Sequence, residues 1–163
     1  MKSFTDNMGR AWTLVVNVAT VKRVRALCGV DLNSVIEVED GKPSAKLLER
    51  LSSDPVLLVD VLYAVCKPEL DAKSVSDEDF GRAMGGDVIE AATAAFLEEM
   101  VGFFPSPKRA VLAKALGKLR VLEERALRAV ETRLDDPRLL AEVEKQLAGI
   151  DEAAAEVATP VGG

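Results

Sequence analysis

The segment from Asp54 to Cys66 limits what this chain can become more than any other. Asp54-Pro55 is a helix start signal, an N-cap followed by a proline whose missing N–H is no loss at the first helical position. Behind it, Val56, Leu57, Leu58, Val59, Val61, Leu62 and Val65 fall on nearly every face of a helix. A helix that is apolar all round has to be buried, and this run is too short to span a bilayer. It predicts a helix at the centre of the fold, ended by Lys67-Pro68. Asp60 is the one charge inside it. An ion pair with Lys46 or Arg50 is the plain reading, a solvent-facing position the next, and a contact with a partner the least favoured.

From Ser44 onward the pattern is helical throughout. Lys46 to Leu51 forms a short helix before the central one. Ser76-Asp77-Glu78-Asp79 opens another through Met84, with acids in the first turn where the helix dipole favours them. Gly85-Gly86-Asp87 breaks and recaps. A helix over 87–104 carries Ile89, Ala92, Phe96, Met100 and Phe103 at steps of three and four, until Pro105 stops it. Ser106-Pro107 caps a long helix to about Leu134, with the stripe Leu112, Leu116, Leu119, Leu122, Ala126 and Val130. Asp135-Asp136-Pro137 separates it from a last helix over 137–148, bearing Leu140, Val143 and Leu147. Residues 151–163 are Ala-rich, end in Pro and Gly, and are expected to be disordered. The domain reading is a small sheet plus helical core over 1–104, a long basic helix and C-terminal helix over 105–150, and the tail.

The N-terminus breaks the helical pattern. Trp12, Leu14, Val16 and Val18 alternate with Thr13, Val15 and Asn17, a period of two. Together with Ser3-Phe4-Thr5 and the turn-like Asp6-Asn7-Met8-Gly9, this predicts a hairpin with strands near 2–5 and 10–18. A short helix follows from Ala19 to Cys28, with Val21, Val24 and Cys28 on one side and Gly29 as the residue that ends it. Ser34 to Glu39 reads as a third strand, closed by Asp40-Gly41-Lys42-Pro43. The fold class is mainly α with a small N-terminal antiparallel hairpin or three-stranded sheet. Aromatic residues are only 4% of the chain, so Leu, Val and Ala build the core, which favours helix packing over a sandwich or barrel.

Chemistry is scarce. The chain has no histidine, which removes His-based nucleophilic triads, His general bases and the common zinc sets. Cys28 and Cys66 both sit in apolar runs and read as buried thiols, with a single long-range disulfide as the minority reading. Asp77-Glu78-Asp79 and Glu98-Glu99 are neighbours that diverge on a helix, so they make poor catalytic pairs. Gly85-Gly86-Asp87 lacks the spacing and the lysine of a phosphate loop. No catalytic residue, metal site or cofactor is expected. There is no apolar leader and no membrane-length segment, so the expected location is the cytoplasm.

Two features read as candidate surfaces. Three of the five phenylalanines lie at Phe96, Phe103 and Phe104, next to Met100. Such a stripe is more often core than groove, yet Met and Phe on one helix face can take up an apolar helix of a partner. With Leu112, Leu116 and Leu119 of the next helix they form the candidate partner-binding set. The second feature is charge. Residues 105–134 hold eight Lys/Arg against three Glu, while 135–163 hold seven acids against two bases. The basic helix reads first as a solvated face pairing with the acidic segment, then as a site for an acidic partner or another subunit. Nucleic acid comes last, because the whole chain carries a net charge of −6 and no interleaved aromatics support it.

Phe4-Thr5-Asp6 with Gly9-Arg10-Ala11-Trp12-Thr13, then Asp54 through Pro68, then Ser76-Asp77-Glu78-Asp79-Phe80, resemble the small tail assembly chaperones of long-tailed bacteriophages, over roughly residues 1–104. The resemblance implies a binding role in the host cytoplasm: such chaperones coat the aggregation-prone tape measure protein before the tail tube assembles around it, and they are not enzymes. The basic helix and the acidic tail have no counterpart in that resemblance. The leading expectation is a non-catalytic protein chaperone whose partner is the tape measure protein. The alternative is a structural or scaffold virion component that self-associates as a homo-oligomer through its long helix, and a nucleic-acid-binding regulator follows.

Overall fold

A computed structural model describes residues 1–35, 37–39 and 42–157. The chain is mainly α with a small antiparallel hairpin at its N-terminus. It divides into two compact units, 1–119 and 120–163.

The first unit opens with β1 (Lys2–Thr5) and β2 (Ala11–Leu14), paired antiparallel with Phe4 opposite Trp12. Phe4, Trp12 and Leu14 point inward and are buried, the alternation that a half-buried hairpin requires. The turn is built around Asp6, a buried carboxylate. Its Oδ1 accepts the amide N–H groups of Met8 and Arg10, both at 2.9 Å. Its Oδ2 accepts Arg10 Nε at 2.7 Å and Trp12 Nε1 at 2.8 Å. Burial pushes this carboxyl up, but the Trp12 and Arg10 donors outweigh it and hold it below its ordinary value. Gly9, at φ 75°, supplies the left-handed residue of the turn.

The second strand is shorter than the alternation suggests. Asn17 becomes the N-cap of α1 (Val18–Cys28), its side chain accepting Thr20 N at 3.0 Å, and Thr20 Oγ1 takes the Val15 carbonyl at 2.9 Å. Capping chemistry therefore ends the strand before Val18, which stays exposed. Gly29, at φ 67°, closes the helix by donating to Arg25 O, as expected.

The expected third strand, Ser34 to Glu39, is found over Glu37–Glu39, but its start is corrected and it does not join the first hairpin. Leu32–Val35 is a 3₁₀ turn, and β3 (Glu37–Glu39) pairs only with β4 (Lys42–Ser44), separately from the first hairpin. Asp31 is the reason: its Oδ1 accepts Asn33 N at 3.0 Å, while its carbonyl accepts Ser34 N and Ser34 Oγ. These local bonds win the backbone from the strand. Ile36, Asp40 and Gly41 lie outside the described residues.

After α2 (Lys46–Ser53), α3 (Pro55–Ala72) runs through the middle of the unit, packed on α1, α2, α4, α5 and β2. Asp54 caps it by accepting Leu57 N at 3.0 Å. It is not covered along its whole length: Val56 is 71% exposed and Asp60 faces solvent. Nor does it stop at Pro68, which lies inside the helix. Proline has no N–H for the carbonyl four residues back, here that of Ala64. Arg23 of α1 fills the place, donating Nε to Ala64 O at 2.5 Å and a second nitrogen to Val65 O at 3.0 Å. A side chain from a neighbouring helix thus lets α3 continue to Ala72.

The added turns guard the hairpin. Glu69 Oε2 accepts Thr13 N at 3.0 Å, and Lys73 Nζ donates to Ala11 O at 2.8 Å. Then α4 (Asp77–Arg82), capped by Ser76, brings Phe80 edge-on to Trp12 with ring centroids 5.5 Å apart. Asn7 ties the turn to the following link, its amide donating to Ala83 O and its side chain to Gly85 O, both at 3.1 Å. Next, α5 (Asp87–Phe103) lies against β1 and α3.

The helix α6 (Ser106–Leu134) crosses the boundary between the units. Leu112 and Leu116, from its first turns, are buried in the core of the first unit. The second unit holds the rest of α6 and α7 (Pro137–Val157). That last helix extends well past 148 into the stretch expected to be disordered, which lacks any helix breaker before Pro160. Residues 158–163 lie outside the described ones.

Candidate functional site

The candidate binding set divides sharply by position. Phe96, Met100, Phe104, Leu112 and Leu116 are buried, and Phe103 and Leu119 partly so. The structure assigns the Phe and Met stripe to the core of the first unit instead of to an open groove: α5 turns that face onto β1 and α3. Phe103 and Phe104 stack edge to face at 5.1 Å, Lys108 Nζ stands 4.3 Å over the Phe104 ring, and Arg109 Nε caps the Phe104 carbonyl at 3.1 Å. Two cations of the basic helix are thus spent closing the end of α5.

What the fold leaves open lies farther along. From Arg120 to Leu139 and from Ala141 to Ala148, every residue is exposed. These include Leu122, Leu127, Val130 and Leu134 on α6 and Leu139, Val143 and Leu147 on α7, between 43% and 66% exposed. Steps of four from Leu122 through Ala126 and Val130 to Leu134 draw one stripe along α6, and Leu139, Val143 and Leu147 draw another along α7. Scattered apolar residues on a surface need no explanation, but two continuous stripes do. The stripe of α6 was legible in the sequence. Aromatic content drew attention to its buried first half, whereas the telling signal is that the stripe continues past Leu119 onto residues that the structure leaves exposed.

The remaining surface offers little for chemistry. A cleft of about 300 Å³ beside β2 includes Thr13, Arg23, Cys66 and Glu69. Burial, then the nearby Glu69, pushes the Cys66 thiol up to about 12, so it stays protonated and unreactive. The Glu69 carboxyl is raised by burial but lowered overall by the Thr13 N–H and the Lys73 ammonium. A second cleft, about 420 Å³, lies between Cys28, Ser34, Lys46 and Arg50. Cys28 is also raised, by burial and by Asp60 and Asp77, and its thiol donates to Asp60 O at 3.3 Å. Both cysteines are free. Among the described residues, no three His, Cys, Asp or Glu side chains gather where a metal ion could be held. No helix of those residues is long and apolar enough to cross a membrane.

Comparison of the chain with known protein families, with curated proteins and with solved structures finds no match in any of the three.

Proposed function

We propose that this protein is a non-catalytic, protein-binding chaperone, of the kind that keeps the tape measure protein soluble during phage tail assembly, and that it acts in the host cytoplasm. The observation that supports the reading is the pair of uncovered apolar stripes on the second unit, carried on a first unit whose own core is complete. A surface of this type takes up an apolar helical segment by helix-against-helix packing and needs no chemistry. The absence of histidine and the inert thiols agree with a binding role.

Co-expression with the tape measure protein tests it. The partner becomes soluble and co-purifies with the intact chain. Val130→Asp combined with Leu147→Asp abolishes both effects and leaves the first unit folded. If the tape measure protein stays insoluble and no complex is recovered, the proposal fails.

A further inference from the structure

We propose that the cleft beside β2 binds the C-terminal residue of an extended polypeptide, with that residue's N–H on Thr13 O and its carboxylate at Val15, Asn17 and Arg23. The hairpin decides which backbone groups face this cleft. Asp6 N donates to Arg10 O at 2.9 Å, so the pairs that exchange hydrogen bonds across the hairpin are Phe4 with Trp12 and Lys2 with Leu14. Ala11 and Thr13 therefore turn their N–H and C=O groups to the outer side, and Val15 follows in the same sense. Three of these outer groups are taken. Lys73 Nζ holds Ala11 O at 2.8 Å, Glu69 Oε2 holds Thr13 N at 3.0 Å, and Thr20 Oγ1 holds Val15 O at 2.9 Å. Two that border the cleft are not. Thr13 O has only the Cys66 thiol, at 4.0 Å, and Val15 N has no partner among the described residues.

This remainder is selective. An added antiparallel strand bonds both the N–H and the C=O of one residue, but here Thr13 has given up its N–H and Val15 its C=O. The open pair brackets Leu14, which is the pattern a parallel neighbour uses: one residue donates to the carbonyl before Leu14 and accepts the N–H after it. The chain leading to that residue meets Glu69 and Lys73 beside Thr13 and Ala11, so it has to turn out to solvent. One residue fits and a strand does not. The volume of about 300 Å³ agrees, being at the low end for a ligand site.

Charge makes it the last residue of a chain. The helix α3 passes β2 in the opposite sense, Lys73 beside Ala11 and Glu69 beside Thr13, so the turn of Ala64 and Val65 lies toward Val15. Arg23 sits on that turn, and its bonds to the two carbonyls leave guanidinium N–H groups over. Asn17 stands at the same end. Its Oδ1 caps α1 through Thr20 N, which leaves its NH₂ for a ligand. Val15 N–H, Asn17 Nδ2 and Arg23 are donors in want of an acceptor, and a carboxylate supplies more of it than the single oxygen of an internal peptide group. The one acid of the cleft, Glu69, lies at the Thr13 end, where Thr13 N–H and the Lys73 ammonium engage its two oxygens. The site stands apart from the chaperone reading and does not rest on it.

The test is an NMR titration of the isotope-labelled intact chain with acetyl-Ala-Ala-Ala, set against the same peptide closed as its C-terminal amide. The free acid shifts the Val15 amide and Arg23 Nε–H signals saturably below about 10 mM, and the amide binds at least about tenfold more weakly. Acetyl-alanine, the last residue alone, binds as the longer acid does, whereas acetate, which has no N–H for Thr13 O, does not saturate. Asn17→Asp keeps an oxygen to cap Thr20 N and puts a negative charge where the NH₂ was. It weakens the free acid by about tenfold or more, with the near-ultraviolet signal of Trp12 unchanged. A free acid that does not saturate, an amide that binds equally, acetate that saturates over the same range, or full affinity in Asn17→Asp each overturns the proposal. The comparison of acid with amide needs no variant, and because no tape measure protein is present these outcomes are independent of whether it binds.

Discussion

Arg23 is expected to matter to stability only because Pro68 is where it is. Pro68 deprives the Ala64 carbonyl of its helical donor, and the Arg23 guanidinium supplies two replacements, to Ala64 O at 2.5 Å and Val65 O at 3.0 Å. Arg23→Met keeps most of the aliphatic stem and removes both donors. Hydrogen bonds from a charged donor contribute about 1.5–3 kcal/mol, and a buried acceptor left bare costs about 1–3 kcal/mol. The site is only part-buried, so about 2 kcal/mol is the working figure for the loss. In a Pro68→Ala background the new N–H reaches Ala64 O along the helix, and Arg23→Met then costs less than about 1 kcal/mol. The coupling in the double-mutant cycle is therefore about 1–2 kcal/mol. Urea unfolding of the four proteins, followed by Trp12 fluorescence and far-ultraviolet circular dichroism, gives each midpoint at constant m. Equal costs of Arg23→Met in the two backgrounds would refute the reasoning, because Arg23 would then act through its charge or its stem and not through the carbonyl that proline strips.

Other outcomes follow from the same geometry. Asp6→Ala strips the acceptor from Met8, Arg10 and Trp12 together and destabilises the first unit by about 3 kcal/mol, read from the same urea curves. The carboxyls of Asp6, Asp31 and Glu69 are all lower in the folded chain than their ordinary values of 3.8, 3.8 and 4.5. The unfolded chain thus binds more protons in that range, so their contribution is complete above about pH 5 and is lost as pH falls through the folded values. Acid titration of wild type and Asp6→Ala checks this, and the variant shows the shallower loss. Leu116→Ala opens the core and costs about 2–4 kcal/mol, whereas Leu127→Ala shifts the unfolding of the first unit by less than about 0.5 kcal/mol. Equal effects would contradict the boundary near Leu119.

The elements most legible in the sequence were those fixed by local chemistry. Asp54-Pro55, Ser76 and Gly29 mark helix ends in the structure as they do in the chain. The errors came where a long-range or side-chain bond outweighed a backbone rule. Pro68 reads as a stop, and nothing near it in sequence announces an arginine forty-odd residues earlier that rescues the helix. Ser34 to Glu39 alternates like a strand, but the Asp31 carboxylate and carbonyl capture its first residues in a turn. Asn17 looked like the polar member of an alternating strand and became a cap. The candidate site was half legible for a related reason. A stripe records which residues share a face, not whether anything stands opposite. Phe96, Met100 and Leu112 share the signature of Leu122 and Val130, and only the packing of α5 on β1 and α3 separates core from open surface.

The Glu69 and Lys73 bonds to the outer side of β2 bear on what happens when many copies crowd together. A bare strand edge is a template on which a foreign strand can register and from which fibrous growth can start. Here the outward N–H of Thr13 and C=O of Ala11 are already engaged by a carboxylate and an ammonium from α3. An incoming strand has to displace both and leave two charges against its own backbone. The helix extension past Pro68 that presents these groups thus closes this edge of the first hairpin to recruitment.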